Sequence, residues 1–551
     1  MPRVKYIALG NTARLQVKKG IDLVTNIIKG TLGPHAKYVA FSRLGELAPR
    51  IVNDGTTIAN EIASTDPQVN DGVRMMQEIC KKTNDNAGDG TTTTAILTQA
   101  IVAEGFRQLH WHNPVTLKQE LEADVVRIIN QLRQWAIPIV GSTPEETNQN
   151  IKNVAMIAAN NDEEVGTTIA DITKQVGLSA SIMVEKSSES KLRTDIVKGI
   201  WFEKGWAAPA FVNVIHEMKT EHQNVPIIIT DQKIQWLSEI EELFHKLSQA
   251  KIERIVLLAD AIEGEALQQL CLTHKESMLG HISPGMQILG IEAPEFGPTR
   301  REILEDICVM TGATLISGDT GLTLSTADPL AVMGKCKKVI ADSKSTVMIG
   351  GQGDPEEIKK RIDGLKAHIA QLKVMEKITR EKLEKRLRVM ESGVGIIYAG
   401  GPSEVEARDR YLRLEDAILA TRSAIKNGIV PGGGYTYWRL SEKVAQSAMM
   451  RTALKTIVRQ IAQNAGVNPR RIEKQLSSTC GWNAKTGLFC NLLQQGIVDA
   501  ALVVEEAIKN AASLAMYVIT MEALITEAIT DGAELGLDRR KPPFKPYNQP
   551  I

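Results

Sequence analysis

Residues 84–100 read NDNAGDGTTTTAILTQA. Gly88, Asp89 and Gly90 run into four consecutive threonines, and an apolar-periodic segment follows. β-Branched, hydroxyl-bearing residues are poor helix filler. At a helix start their hydroxyls can cap, and backbone N–H groups are left pointing outward. Such a mouth suits an anion. Three other stretches share this chemistry. TLGP (31–34) closes a predicted helix, NDG (53–55) sits in a turn after a predicted strand, and PGGG (431–434) precedes another helix. Singly, each reads more readily as a tight turn. Together they form the parts of a nucleotide site. Glycines let backbone approach phosphate, and a helix N-terminus offers N–H groups with a partial positive charge. Asp54 and Asp89 are carboxylates able to hold Mg²⁺, which bridges phosphate oxygens. Neither a GxxxxGK[ST] loop nor a GxGxxG after a strand is present, so the phosphate cradle is of another kind.

The elements that must position these residues follow from periodicity. Residues 12–32 are predicted helical, stopping at Gly33-Pro34. KYVAF (37–41) and RIVN (50–53) read as short strands around a turn. Helices are predicted over 67–87 and 91–108, joined by the Gly-Asp-Gly turn, and from about 115 to 135, ending before Pro138. Helical signals over 145–176 give way to strand-like SIMVE (181–185). From about 198 to 350, apolar runs alternate with amphipathic helices. VPIIIT (225–230), RIVLLA (254–259), MQILGIEA (286–293) and ATLIS (313–317) are the strand candidates. That alternation argues for an α/β domain. Residues 355–390 are charged and helical, with Ile358, Ile362, Leu365, Ile369 and Leu372 forming an a/d seam that is read as packing on its own domain. GVGIIYAG (393–400) reads as a strand, residues 405–530 return to helix, and the proline-rich end RRKPPFKPYNQPI reads as flexible. Mostly-α material thus brackets an α/β insertion.

Bulk properties narrow the function. A chain of 551 residues is too long for one core, so about three domains are expected. Hydrophobic content of 43% and charged content of 24% are those of a globular protein. Lys+Arg and Asp+Glu both number 65, and this balance argues against nucleic acid or an anionic membrane as partner. No apolar run is long enough to span a bilayer, and MPRVKYIALGNTARLQ lacks a signal-peptide core. The six cysteines form no CxxC pair, which fits a reducing compartment and opposes a disulfide framework or zinc site. His110 and His112 in HWHNP suggest a polar loop between helices rather than a metal site.

TLGP, NDGTTIANEI, NDNAGDGTTTTAILTQAI, LEDAILATRSAIKNGIVPGGG and GWNAKTG with GIVDA occur in the order and at the spacing that resemble the group I, GroEL-type chaperonins, over about residues 8–535. The resemblance implies a multidomain α and α/β subunit. A mostly helical equatorial ATP-binding domain would comprise 1–135 and 426–551. A small intermediate hinge domain would comprise 136–197 and 394–425, and an inserted α/β apical client-binding domain 198–393. It implies ATP, Mg²⁺ and, as a further candidate ion, K⁺. Thr31, Leu32, Gly33 and Pro34 would contact the nucleotide. Asp89 would hold Mg²⁺, and Gly90, Thr91, Thr92 and Thr93 would cradle the phosphates. Asp54 and Asp416 would position the attacking water, Asp416 only on closure of the hinge domain. Gly433, Asn483, Ala484, Ile497 and Asp499 would surround the nucleotide. Trp206, Phe211, Leu237, Phe244, Leu267, Cys271 and Leu272 would form the apolar surface for non-native clients. A homo-oligomer of seven-membered rings in the cytosol of a bacterium, or of a host if phage-encoded, is implied.

Several positions depart from that pattern. Asn53 stands where the family has Lys, Glu241 where it has an apolar residue, and Ala210 where it has an aromatic one. Residues 276–286 resemble an insertion, and the Gly-Gly-Met-rich tail is missing. Asn468 replaces an acidic residue of the ring–ring contact while Arg459 is kept, which suggests single rings. The changed apical surface leaves a GroES-like co-chaperonin uncertain. The main expectation is an ATPase that promotes protein folding. The rival is a chaperonin-like binding or assembly protein without productive turnover, and a small-molecule kinase lacks an acceptor site.

Overall fold

The computed structural model describes residues 5–43, 49–178, 181–187, 189–215, 218–280, 286–372, 377–391 and 393–527. Residues 281–285 of the expected insertion and the proline-rich end lie outside them. The chain divides into two compact units, one of residues 1–170 with 401–551, the other of residues 171–400.

The first unit is mainly helical. Helices Gly10–Ile28, Pro67–Ala87, Thr91–Gln108, Pro114–Trp135, Ala448–Asn464 and Ala501–Thr520 pack around one core. The Thr91–Gln108 helix runs through the middle, with Ala95, Leu97, Ile101 and Val102 fully enclosed. Its apolar residues do not form one stripe, which is the pattern of a helix covered on most sides. Capping fixes the boundaries. Asp66 and Asn113 accept backbone N–H groups at the starts of Pro67–Ala87 and Pro114–Trp135, each followed by proline in the first turn. The two ends of the described chain meet in an antiparallel pair, Lys5–Leu9 with Ala523–Glu527. The predicted helix over 12–32 is Gly10–Ile28 followed by one 3₁₀ turn, Lys29–Thr31.

The second unit is built on an eight-stranded mixed sheet. Its order is Gln287–Glu292, Arg254–Ala259, Thr220–Ile229, Gly334–Ala341, Thr346–Gly351, Arg193–Phe202, Gly393–Ala399, Ile182–Lys186. The first three strands are parallel, as expected of strands joined through helices. VPIIIT, RIVLLA and MQILGIEA supply these three. ATLIS makes only a single bridge, Ile316 with Thr230. Three strands escaped the sequence reading. Gly334–Ala341 carries Lys335, Lys337 and Lys338, and its half-exposed alternation hides it from an apolar-run criterion. Thr346–Gly351 and Arg193–Phe202 pair with it in series through antiparallel ladders. The charged segment is two helices, Pro355–Gln371 and Lys377–Glu391. Leu365 is buried, and Ile358, Ile362, Ile369 and Leu372 pack against the same core, so the seam faces its own unit.

Candidate functional site

The first unit holds a cavity of about 200 Å³ lined by every residue that the resemblance assigns to the nucleotide. Several separate stretches of chain converge on it. The Thr31–Pro34 turn is pinned from outside, because Asn464 Nδ2 donates to the carbonyls of Lys29 and Leu32, both at 2.9 Å. Asp54 caps helix Gly55–Glu61, accepting from Thr56 N at 3.1 Å and Thr57 N at 2.7 Å. Gly432 N donates to Ile497 O at 2.9 Å, which ties the PGGG turn to the strand that carries Asp499. Asn483 and Ala484 sit in the turn of the hairpin Gly481–Trp482 with Phe489–Cys490.

The opening threonines act differently from the sequence expectation. They are the first four residues of the helix, not its cap. The cap is Gly90, in a left-handed conformation (φ 93°), and no side chain satisfies the first N–H groups. The hydroxyls stitch neighbouring segments instead. Thr91 Oγ1 lies 2.8 Å from Thr56 Oγ1, and Thr92 Oγ1 lies 3.2 Å from Thr31 Oγ1. Thr94 Oγ1 donates to Gly90 O at 2.9 Å. The helix mouth therefore keeps its outward N–H groups while the walls around it are fastened.

Asp416 lies on helix Glu404–Asn427 and already lines the cavity, without the closure the sequence reading required. Ser423 Oγ of the same helix donates to Ala87 O at 2.8 Å. Beside that bond, Gly88 (φ 79°) ends helix Pro67–Ala87, and a Cβ there would lie 2.1 Å from Leu419 Cβ. The Gly-Asp-Gly turn thus admits the Asp416 helix at backbone distance.

The electrostatics are those of crowded carboxylates. Burial, then the charges of Asp54 and Asp89, hold the Asp416 carboxyl well above the usual range. Burial and Asp54 push Asp89 up to about 6 against the opposing pull of the Gly90 N–H. Burial and Asp89 push Asp499 up to about 7. Such mutual repulsion is relieved by a cation. Among the described residues no three His, Cys, Asp or Glu side chains cluster as a metal site.

Other lining residues were missed from sequence. Asn160 and Asn161 form a wall in left-handed conformations, φ 56° and 64°, between helices Pro144–Ala158 and Glu163–Val176. The consecutive asparagines of AANND were the available signal. Trp482 and Lys485, inside GWNAKTG, also line the cavity, as do Arg413 and Tyr437, which no motif marked.

In the second unit the expected client residues divide. Phe211 has no exposed surface and stacks edge-on against His274, with ring centroids 5.8 Å apart. It is a core residue, which corrects its assignment to a client surface. Trp206, Leu237, Phe244, Leu267 and Cys271 are partly buried against the core, and Leu272 is 52% exposed. Trp236, not anticipated, is 62% exposed next to Leu237.

An uncapped helix mouth ringed by glycine turns and aspartates, in a chain with a separate α/β unit, defines a nucleotide-binding protein of the chaperonin class. The chain belongs to the TCP-1/cpn60 chaperonin family, whose profile matches residues 24–528. It is an ATP-dependent chaperonin, and the non-productive binding protein is not favoured. Two crystal structures of the chaperonin gp146 from the bacteriophage EL 2 (Pseudomonas aeruginosa), both in the presence of ATP-BeFx, share the fold. Crystal form II matches with a TM-score of 0.66 at 20% identity, covering 94% of this chain and 98% of that one. Crystal form I matches with a TM-score of 0.58 at 21% identity, covering 95% and 99%. Among the described residues no helix is long and apolar enough to cross a membrane.

Proposed function

We propose that the protein hydrolyses ATP in this cavity and uses the cycle to bind non-native proteins in a ring and release them for folding. The convergence of Asp54, Asp89 and Asp416 on an uncapped helix N-terminus carries the reading. The N–H groups of Thr91, Thr92 and Thr93 would hold the phosphates. Asp54 and Asp416 would orient the attacking water, and Asp416 would take its proton, since a carboxyl held above its usual range is the stronger base once ionised. Mg²⁺, held by Asp89 when bound with the triphosphate, would neutralise phosphate charge, and K⁺ is a further candidate ion. Little covalent chemistry falls to the protein, and placement dominates.

Clients would dock on the apolar surface of the second unit at Leu272, Cys271, Leu267, Leu237, Phe244 and Trp206. A homo-oligomer of seven-membered rings in the cytosol is the assembly we infer. Single rings are favoured by Arg459, which pairs with Glu473 of its own chain at 2.7 and 2.9 Å, while Asn468 caps helix Pro469–Gln475.

The test is phosphate release with Mg²⁺ and ATP, beside Asp416→Ala. Turnover in the parent should fall by about 10²-fold or more in the variant, the scale of a lost general base. A parent that binds ATP without releasing phosphate would leave a nucleotide switch and refute the hydrolytic cycle.

A further inference from the structure

The cavity wall is short of positive charge. Asp54, Asp89, Asp416 and Asp499 line it, against only Arg413 and Lys485 among the described residues. Lys485 belongs to the hairpin turn at Asn483, and Asn53 contributes no charge. Arg413 stands one helical turn before Asp416, on the same face of helix Glu404–Asn427.

Its guanidinium is incompletely partnered. Nη2 donates to the Tyr38 hydroxyl at 3.0 Å and lies 2.7 Å from Asp409 Oδ2. Nη1 lies 3.7 Å from Asp162 Oδ2, an ion pair too long for a hydrogen bond. Nε is buried with no hydrogen-bond partner. A buried, charged donor without an acceptor is costly, and a native site rarely keeps one without use. Arginine's planar fork also matches a phosphate's oxygens better than any other side chain.

We propose that Arg413 is a nucleotide-contacting residue, donating to an outer phosphate oxygen of bound ATP and supplying the charge that Asn53 does not. This rests on the cavity being the ATP site. Its place beside Asp416, which lies at the scissile end in that reading, selects the terminal phosphate. Arg413 would therefore distinguish ATP from ADP. In exchange it would loosen its long pair with Asp162 in the turn between helices Pro144–Ala158 and Glu163–Val176. The alternative is a purely structural tie between that turn, Asp409 and Tyr38.

Titration calorimetry with Mg²⁺, separately for ATP and ADP, tests this on the full-length parent, Arg413→Gln, Arg413→Lys and Asp162→Asn. Arg413→Gln should weaken ATP by about tenfold or more, the scale of a lost charge-assisted hydrogen bond, with ADP within about twofold of the parent. Arg413→Lys should fall between, because it keeps the charge and loses the fork. Asp162→Asn should bind ATP as tightly as the parent or more tightly, because it frees the guanidinium. Parent-like ATP binding by Arg413→Gln overturns the proposal. So does an equal loss for both nucleotides in Arg413→Gln and Asp162→Asn, the mark of a structural tie. Should Arg413→Gln fail to melt cooperatively, the Arg413→Lys ratio of ATP to ADP affinity decides. A parent that binds neither nucleotide refutes the site itself.

Discussion

Replacing Gly88 by alanine should disable turnover without abolishing nucleotide binding. The new Cβ would meet Leu419 Cβ at 2.1 Å, with Leu419 C and Cα at 3.1 Å. Carbon atoms rest at about 3.5 Å or more, so the Asp416 helix must retreat by about 1.4 Å. The obstacle includes backbone, so a rotamer change cannot relieve it. Leu419 lies one turn beyond Asp416, and a retreat there carries the carboxylate away from the helix mouth. A misplacement of about 1 Å costs roughly 10²-fold in rate, so kcat should fall by about that factor. Alanine at φ 79° adds roughly 1–2 kcal/mol of backbone strain, visible as a lower melting temperature. The nucleotide contacts of Thr31–Pro34 and of Gly90–Thr93 stand on other elements, so the Kd for ADP should move by no more than about threefold, the modest end of single-contact effects. Phosphate release and calorimetry read the two quantities separately. Gly466→Ala is the control, since Gly466 has φ 73° with open space around its Cβ position, which isolates strain from close approach. Turnover in Gly88→Ala equal to the parent, or an equal loss in Gly466→Ala, would refute the reasoning.

Asp499→Asn should stabilise the nucleotide-free protein at pH 8. The folded carboxyl titrates at about 7 against 3.8 for the free group, so the native state binds the extra proton. The native charge therefore weakens stability as pH rises through 7, and the gain from Asn should shrink between pH 7 and about pH 4 in thermal unfolding. Leu272→Ser should leave the melting temperature nearly unchanged, as surface substitutions do, while capture of a chemically denatured protein weakens about fivefold, the worth of half a leucine's apolar surface. Phe211→Ala should instead destabilise the protein by about 3–5 kcal/mol in denaturant titration, because it empties a core position. Native mass spectrometry should find single-ring particles with and without ATP, and exclusively double rings would show that Arg459 is available across a ring interface despite its pair with Glu473.

Local signals carried much of the architecture. The Gly88-Asp89-Gly90 turn between two helices, the Pro-initiated helices after Asp66 and Asn113, and the apolar strands VPIIIT and RIVLLA are short-range matters of capping, backbone freedom and periodicity, and they stood in the sequence as they stand in the fold. The glycine stretches that line the cavity were legible for the same reason, since each is a glycine turn or a helix start. Long-range contacts decided the rest. Gly334–Ala341 becomes a strand because two partners pair with it, not because its lysines favour one. Phe211 and Leu272 are equally apolar by type, yet one has no exposed surface and the other is half open, since burial belongs to the packing around a residue. Asp416 is only one more acid on a charged helix until the fold sets it beside Asp54 and Asp89, and only then does its carboxyl rise. Arg413 carried no motif at all. A carboxylate's acidity and a guanidinium's missing partner are properties of neighbours hundreds of residues away, and those neighbours are chosen by tertiary structure.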